Sequence, residues 1–333
     1  MIKLALFGAG RIGKIHGHNV ALNPQAELVA LHDPYQVNAD HLSAALGCKQ
    51  MTPEQIFSDP SITGILVCSA TDTHADLIEQ AVLAGKHVFC EKPIDLSLAR
   101  VQQVVDKVNA SPITTMLAFN RRFDSNFALL QQRIASGEIG DVELVSIISK
   151  DPSPPPVDYI KVSGGLFRDM TIHDFDMARF MISSKVISIF AVGRNLVDPN
   201  IGIAGDIDTA VVTITFDSGA IATIDNSRQA VYGYDQRVEV FGSEGMAGTE
   251  NNKSDNHYYY NKKGQSESLP LHFFMDRYIP SYFNEMKAFI HCIVHDEVPK
   301  VGGQDGLISL AMGWAANTSM QENRVVMLKE MLN

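Results

Sequence analysis

An aspartate and a histidine four residues apart, Asp169 and His173, lie in the stretch Gly164-Gly165-Leu166-Phe167-Arg168-Asp169-Met170-Thr171-Ile172-His173-Asp174-Phe175-Asp176-Met177-Ala178-Arg179. The stretch predicts one helix entered from a glycine turn, and helical positions four apart share a face. Asp176, three residues further on, continues that stripe. A carboxylate one turn from an imidazole orients the ring and raises its basicity, which suits a general base near neutral pH. The same spacing also occurs as surface decoration, so the pair gains meaning from what accompanies it. That is a Gly8-Ala9-Gly10-Arg11-Ile12-Gly13 turn at the start of the chain. In a GxGxxG turn the first glycine permits the tight bend, the second lets backbone approach a pyrophosphate, and the third lets the helix pack on its strand.

The elements that must position these groups follow from the pattern of the chain. Ile2 to Phe7 is a short apolar run that suits a buried parallel strand, and a helix through His16 and Val20 starts at the glycines with its amide-rich end toward the phosphates. A second strand over Glu27 to Leu31 ends at His32-Asp33. Asp33 stands 20 residues after Gly13, where a carboxylate takes ribose hydroxyls. Its charge repels a 2′-phosphate and no arginine follows closely, which favours NAD over NADP. Strands over Ile62 to Cys68, His87 to Cys90 and Ile113 to Phe119 alternate with helices opened by Thr52-Pro53-Glu54-Gln55, by the polar turn Ser69 to His74, and by Ser97. This alternation predicts a doubly wound parallel sheet, with ligands at the carboxyl ends of its strands. Asp33, Thr71, Glu91, Lys92 and Asn120 all follow strand ends. On position alone Lys92 fits a solvated strand-end lysine as well as a ligand-facing one, and the Lys92-Pro93 bond is open to the cis form.

After Asn120 the pattern changes. A helix over Asp124 to Ala135 leads to a strand over Val142 to Ser149, then to Lys150-Asp151-Pro152 and a proline-rich loop that suits a lid or an intersubunit arm. Beyond the Asp169/His173 stretch come six strand-like runs between Val186 and Tyr260, with Asp217-Ser218-Gly219 as a hairpin turn, and two closing helices. The fold class expected is α/β: a Rossmann sheet over residues 1–120, then an α+β domain over 121–333 with a large, mostly antiparallel open sheet. An open sheet of that kind commonly buries its free face on another subunit.

Bulk properties exclude several classes. The formal net charge of -11 argues against nucleic acid or an anionic membrane as the main partner. No apolar run approaches the roughly 20 residues of a membrane helix. The chain enters its first strand without a leader-like segment, and Cys48, Cys68, Cys90 and Cys292 lack CxxC spacing, which fits reduced thiols in a cytoplasmic protein and no dedicated metal site.

With these residues placed, the sequence resembles the Gfo/Idh/MocA oxidoreductase family over essentially its whole length. The marks are the GxGxxG turn, Glu91-Lys92-Pro93, Phe119-Asn120-Arg121-Arg122-Phe123-Asp124, Lys150-Asp151-Pro152 with its prolines, and Gly164-Gly165 running to Asp176. Tyr232-Gly233-Tyr234-Asp235 and Arg277-Tyr278 through Tyr282 to Glu285 complete them. The resemblance implies NAD held by Gly8, Gly10, Arg11, Ile12, Gly13, Asp33, Ser69, Ala70, Thr71, His74, Glu91, Lys92 and Asn120. It implies His173 as base, Asp169 as its partner and Lys92 as the group that orients the reacting hydroxyl. Within the inositol-oxidising branch it implies polyol contacts from Lys92, Asn120, Arg121, Asp151, Asp169, His173, Asp176, Tyr232, Tyr234 and Tyr282. The reaction implied is NAD-dependent oxidation of myo-inositol to its 2-keto form. Scyllo-inositol or a pyranose is the alternative substrate, and a non-catalytic NAD sensor or an NAD-dependent glycosidase lies further off. Members of the family commonly form homotetramers through their C-terminal sheets.

Overall fold

The apolar run at the N-terminus forms β1 (Ile2–Phe7), the strand around which the first sheet grows in both directions. A computed structural model describes residues 1–332. They divide into two compact units, 1–123 with 280–310 and 124–279 with 311–332. No helix is long and apolar enough to cross a membrane among the described residues, and all four cysteines carry free thiols.

In the first unit β1 is followed by α1 (Arg11–Ala21), β2 (Ala26–His32), α2 (Gln36–Leu46), β3 (Lys49–Gln50) and α3 (Pro53–Ser58). Then come β4 (Gly64–Val67), α4 (His74–Leu83), β5 (His87–Glu91), α5 (Leu98–Asn109) and β6 (Thr115–Ala118). The strands pair in parallel in the order β3-β2-β1-β4-β5-β6, the doubly wound sheet expected. Leu4, Leu6, Ile65, Leu66 and Phe89 are fully buried, each contributing roughly 1.5–3 kcal/mol of apolar burial. Thr52 and Gln55 form the anticipated reciprocal cap of α3, and Ser97 accepts from the Arg100 amide at the start of α5. The chain turns back at Lys92-Pro93, a cis peptide.

The second unit opens with α6 (Ser125–Ala135), whose first turn is capped by the Asp124 carboxylate accepting from the amides of Asn126 and Phe127 at 3.0 and 3.2 Å. Next are β7 (Val142–Lys150), α7 (Val157–Ser163), α8 (Leu166–Asp169), α9 (Ile172–Ile182), β8 (Val186–Arg194) and α10 (Pro199–Ile203). The hairpin β9 (Thr209–Phe216) and β10 (Ile221–Ser227) turns at Gly219, whose φ is +91°. β11 (Asp235–Gly242) and β12 (Gly245–Thr249) follow, and β13 (Tyr258–Asn261) pairs with β14 (Gly264–Glu267) as a separate ribbon. The main sheet runs β12-β11-β7-β10-β9-β8, and a final strand β15 (Val326–Met327) pairs with β8. Its pairs are antiparallel except β7 with β10. One face is buried through Val145, Ile147, Val212, Ile214 and Val240, and Phe175, Met177 and Met181 of α9 are buried too. The last two helices, α11 (Phe274–His295) and α12 (Gly303–Glu322), each belong partly to one unit and partly to the other.

The single helix expected over residues 164–179 is instead two, α8 and α9, with Met170 and Thr171 between them. The cause is local. The Thr171 amide bonds to the Leu166 carbonyl five residues back rather than four, and the Thr171 hydroxyl donates to the same carbonyl or to Asn226 Oδ1, 2.7 Å away. A buried threonine anchored from β10 therefore interrupts the ladder between Asp169 and His173.

Candidate active site

The nucleotide half of the site is made of backbone. Gly8 has φ +96°, and a Cβ there would lie 2.5 Å from the Cys68 carbonyl oxygen. A Cβ on Gly13 would lie 1.9 Å from the Gly8 carbonyl oxygen, so both positions exclude any larger residue. A Cβ on Gly10 would meet nothing within 4 Å. The protein does not itself require glycine there, and the space left open is what a pyrophosphate approaching the start of α1 would occupy. Arg11 is exposed and Ile12 half-buried at that same turn. Asp33 ties the loop down from the end of β2: its carboxylate accepts from the Ala9 amide at 2.6 Å and the Tyr35 amide at 2.7 Å. These features fit the dinucleotide that the sequence implies.

The next strand ends add a polar rim. Ser69 and Thr71 are half-buried and Ala70 is exposed, and the Ser69 and Thr73 hydroxyls lie 2.6 Å apart. His74 is placed differently from an open cofactor contact. It is 1% exposed, with Nδ1 2.8 Å from the Pro93 carbonyl oxygen and Nε2 3.1 Å from that of Ser69. It links the turn after β4 to the turn after β5. Glu91 and Lys92 are half-buried at the end of β5. Asn120 is buried in a short turn after β6 and its amide reaches Ser281 of α11 at 3.4 Å, while Arg121 beside it is also buried. Tyr282 is buried with its ring edge-on to His16, 5.8 Å between centroids.

In the second unit the expected residues are held by side chains. Gly164 and Gly165 have φ of +92° and +82°. Asp206 accepts from the Leu166 amide through both oxygens at 3.0 Å and would lie 2.6 Å from a Cβ on residue 165. That contact starts α8 and so places Asp169. The Tyr159 hydroxyl, delivered by α7 after the proline loop, donates to Asp169 Oδ1 at 2.9 Å. Arg228, 1% exposed, lies 4.0 Å from Asp169 Oδ2 and 3.5 Å from Asp206 Oδ2. Nearly half of the Tyr159 residue is exposed, yet removal of its hydroxyl from water, followed by the Asp169 charge, pushes the phenol above its ordinary value. The charges of Arg228 and Asp151 act on the same phenol. His173 is half-buried at the start of α9, and Asp174 next to it is buried and accepts from the Asn226 amide at 2.9 Å.

Asp176 is 1% exposed and lies 3.9 Å from the Arg179 guanidinium. Asp151 is half-buried beyond β7, its backbone bonded to Ser227 and Ala230. Tyr232 donates to Asp235 Oδ2 at 2.6 Å, and burial with that neighbouring carboxylate pushes its phenol up to about 12. Asp235 also binds Arg237 through two bonds and Asn251. Tyr234 is buried edge-on to Tyr278. Sequence reasoning missed Tyr159, Asp206, Arg228 and Asn226 as supports of the pair. Their partners lie 10 to 59 residues away, beyond the reach of any local pattern.

A doubly wound parallel sheet with a GxGxxG turn after its first strand is the architecture of a dinucleotide-binding domain, here followed by a domain that carries Asp169 and His173. Residues 2–119 match the oxidoreductase family with an NAD-binding Rossmann fold, and residues 127–248 match the GFO/IDH/MocA C-terminal domain. A myo-inositol 2-dehydrogenase from Thermotoga maritima is 44% identical over 99% of this chain and 100% of its own. An inositol 2-dehydrogenase from Rhizobium meliloti is 46% identical over 98% of each, and a scyllo-inositol 2-dehydrogenase (NAD(+)) from Bacillus subtilis is 34% identical over 98% of this chain and 96% of its own. The crystal structure of a myo-inositol dehydrogenase from Corynebacterium glutamicum superposes with a TM-score of 0.94 at 41% identity, over 98% of this chain and 99% of that one. The chain belongs to the Gfo/Idh/MocA oxidoreductase family, and its cofactor is NAD.

Proposed function

We propose that the protein oxidises myo-inositol at one ring carbon to the corresponding inosose, with His173 as general base. The observation that carries this reading is the similarity, at 44–46% identity over essentially the full chain, to two inositol 2-dehydrogenases. Bound NAD supplies the acceptor for the hydride that leaves the carbon. His173 takes the hydroxyl proton, so the alcohol loses one proton and one hydride and becomes a ketone. Asp169 orients the imidazole and stabilises its protonated form, and Tyr159 and Arg228 hold Asp169. Lys92 donates a hydrogen bond to the oxygen as negative charge develops on it, an electrostatic role strengthened where water is excluded. Asn120, Arg121, Asp151, Asp176, Tyr232, Tyr234 and Tyr282 read the remaining hydroxyls. A site that pairs each hydroxyl rejects an epimer strongly. Scyllo-inositol is the second reading, favoured by the relative at 34% identity.

The same reading assigns the open face of the second unit's sheet to a homotetramer. Ile221, Leu144, Phe241 and Met246 are cross-strand partners in register across β10, β7, β11 and β12, and all four are more than a third exposed. A contiguous apolar row of this kind on an open sheet is a surface for a second copy.

The test is nicotinamide reduction by the purified protein with NAD or NADP against myo-inositol, scyllo-inositol, D-chiro-inositol and glucose. Fastest reduction with myo-inositol and NAD supports the reading. Activity confined to scyllo-inositol or glucose replaces the substrate, and no activity with any polyol overturns it.

A further inference from the structure

At the strand end that leads into Lys92, three side chains of the first unit converge in a closed spot. His16 comes from α1, Glu91 from the end of β5, and Glu285 from the part of α11 that belongs to this unit. His16 Nε2 lies 2.9 Å from Glu91 Oε1 and 3.8 Å from Glu285 Oε1. One donor atom from each lies within 4.8 Å of the other two. His16 and Glu285 are both 0% exposed. Neither oxygen of Glu285 has a hydrogen-bond partner among the described residues, and neither does His16 Nδ1. Phe89 packs edge-on against the imidazole at 4.7 Å and Tyr282 at 5.8 Å. The Cys68 and Cys90 thiols also face these carboxylates, and burial pushes both well up, so they stay uncharged. The described ion pairs give Glu285 no lysine or arginine partner.

An ionised Glu285 would sit buried beside a second carboxylate, with only the distant His16 Nε2, already 2.9 Å from Glu91, to compensate it, which is costly on both counts. A carboxylic acid in the same place is neutral and can donate a hydrogen bond. We propose that Glu285 works as a protonated acid whose neutrality leaves the His16 ring on Glu91, so that Glu285 and His16 are positioning residues for the Glu91 carboxyl and thereby for the backbone presenting Lys92. Burial, and after it the Glu91 charge, raises the Glu285 carboxyl well above its usual range, in agreement. The rival occupant is a divalent cation held by one imidazole and two carboxylates. It would need both acids ionised, so the two ideas demand opposite states of Glu285. The link to catalysis rests on the role of Lys92 stated under Proposed function, whereas the protonation state does not.

The experiment compares E285Q and E285A with wild type as NAD-bound enzyme, using the polyol that reacts fastest. Gln copies the neutral acid. E285Q should keep turnover within about threefold of wild type near pH 7, while E285A should lose on the order of tenfold in kcat with NAD affinity retained. A group whose folded pKa is raised binds its proton more tightly folded than unfolded. Wild type therefore loses this group's contribution to stability as pH rises above the ordinary carboxyl value of 4.5, a loss that E285Q lacks. The Tm advantage of E285Q should grow with pH. Equal damage in E285Q and E285A, a Tm gap independent of pH, or stoichiometric zinc or manganese in the purified wild type would each overturn the proposal. If Lys92→Ala retains wild-type turnover, the role of Lys92 fails, and the pH dependence of the Tm gap still decides the state of Glu285.

Discussion

In the first unit the glycine turn hangs on backbone: Gly8 and Gly13 are fixed by carbonyl oxygens that a Cβ would strike, and Asp33 holds the loop through two amides. In the second unit the chemistry hangs on side chains: Asp169 is held by Tyr159 and Arg228, Leu166 by Asp206, and Thr171 and Asp174 by Asn226. A backbone site is written in a short contiguous motif, because each glycine acts on residues beside it. A side-chain site draws its supports from separate loops and strands. It can be retuned one residue at a time, which suits the substrate-reading role proposed for this half.

The largest effect expected breaks the comparison at its chemical end. His173→Ala should lower turnover by about 10²–10⁴, the usual worth of a general base, with NAD affinity unchanged. Stopped-flow single-turnover rates and fluorescence titration with NADH measure the two separately, and a mutant that turns over normally removes His173 from the mechanism. Next is the buried pair of Asp124 and Arg277, at 7% and 3% side-chain exposure. Asp124→Ala strips the α6 cap and leaves the guanidinium uncompensated, so urea unfolding should show a loss of about 3–5 kcal/mol. A loss under about 1 kcal/mol would mean the pair is solvated.

Smaller effects sharpen the contrast from the nucleotide side. Asp33→Ser keeps an acceptor for the loop but removes the charge facing a 2′-phosphate, and the ratio of NAD to NADP efficiency should fall by on the order of tenfold. An unchanged ratio would place discrimination elsewhere. The smallest effect lies on the surface, where hydrogen bonds from Arg100 and Lys107 hold the Glu79 carboxyl down to about 2. A depressed carboxyl stabilises the fold above its unfolded value of 4.5, and that contribution is lost as pH falls through 2. Glu79→Gln should remove part of the acid dependence of Tm in that window. The contribution is about 1 kcal/mol or less, because the group is close to solvent.

How far the sequence could be read follows the same division. Five of the six strands of the first unit, the glycine turn and the Thr52 and Ser97 caps are legible, because each depends on residues a few positions apart, whereas α2 and the two-residue β3 leave no such mark. The mixed sheet of the second unit was legible as alternation in β9 and β11, and its pairing order was not. The break between α8 and α9 escaped because the agent is a threonine bonded to Asn226, and Asp169 and His173 therefore stand on successive helices rather than one. Glu285 stands as one letter in the final resemblance, and nothing near it in sequence reports His16, more than 250 residues earlier.

The assignment of residues 280–310 to the first unit has a consequence for how the protein is made. The strands of the Rossmann sheet leave the ribosome early, but the segment that brings Asn120 its Ser281 partner and His16 its Tyr282 and Glu285 neighbours is synthesised about 150 residues later. At roughly 5–20 residues per second that is a wait of about 8 to 30 seconds. During it the cofactor-binding sheet exists as a nascent, incompletely covered layer, exposed to chaperones and to other chains. The order of synthesis thus makes the half that binds NAD the first to be started and one of the last to be finished.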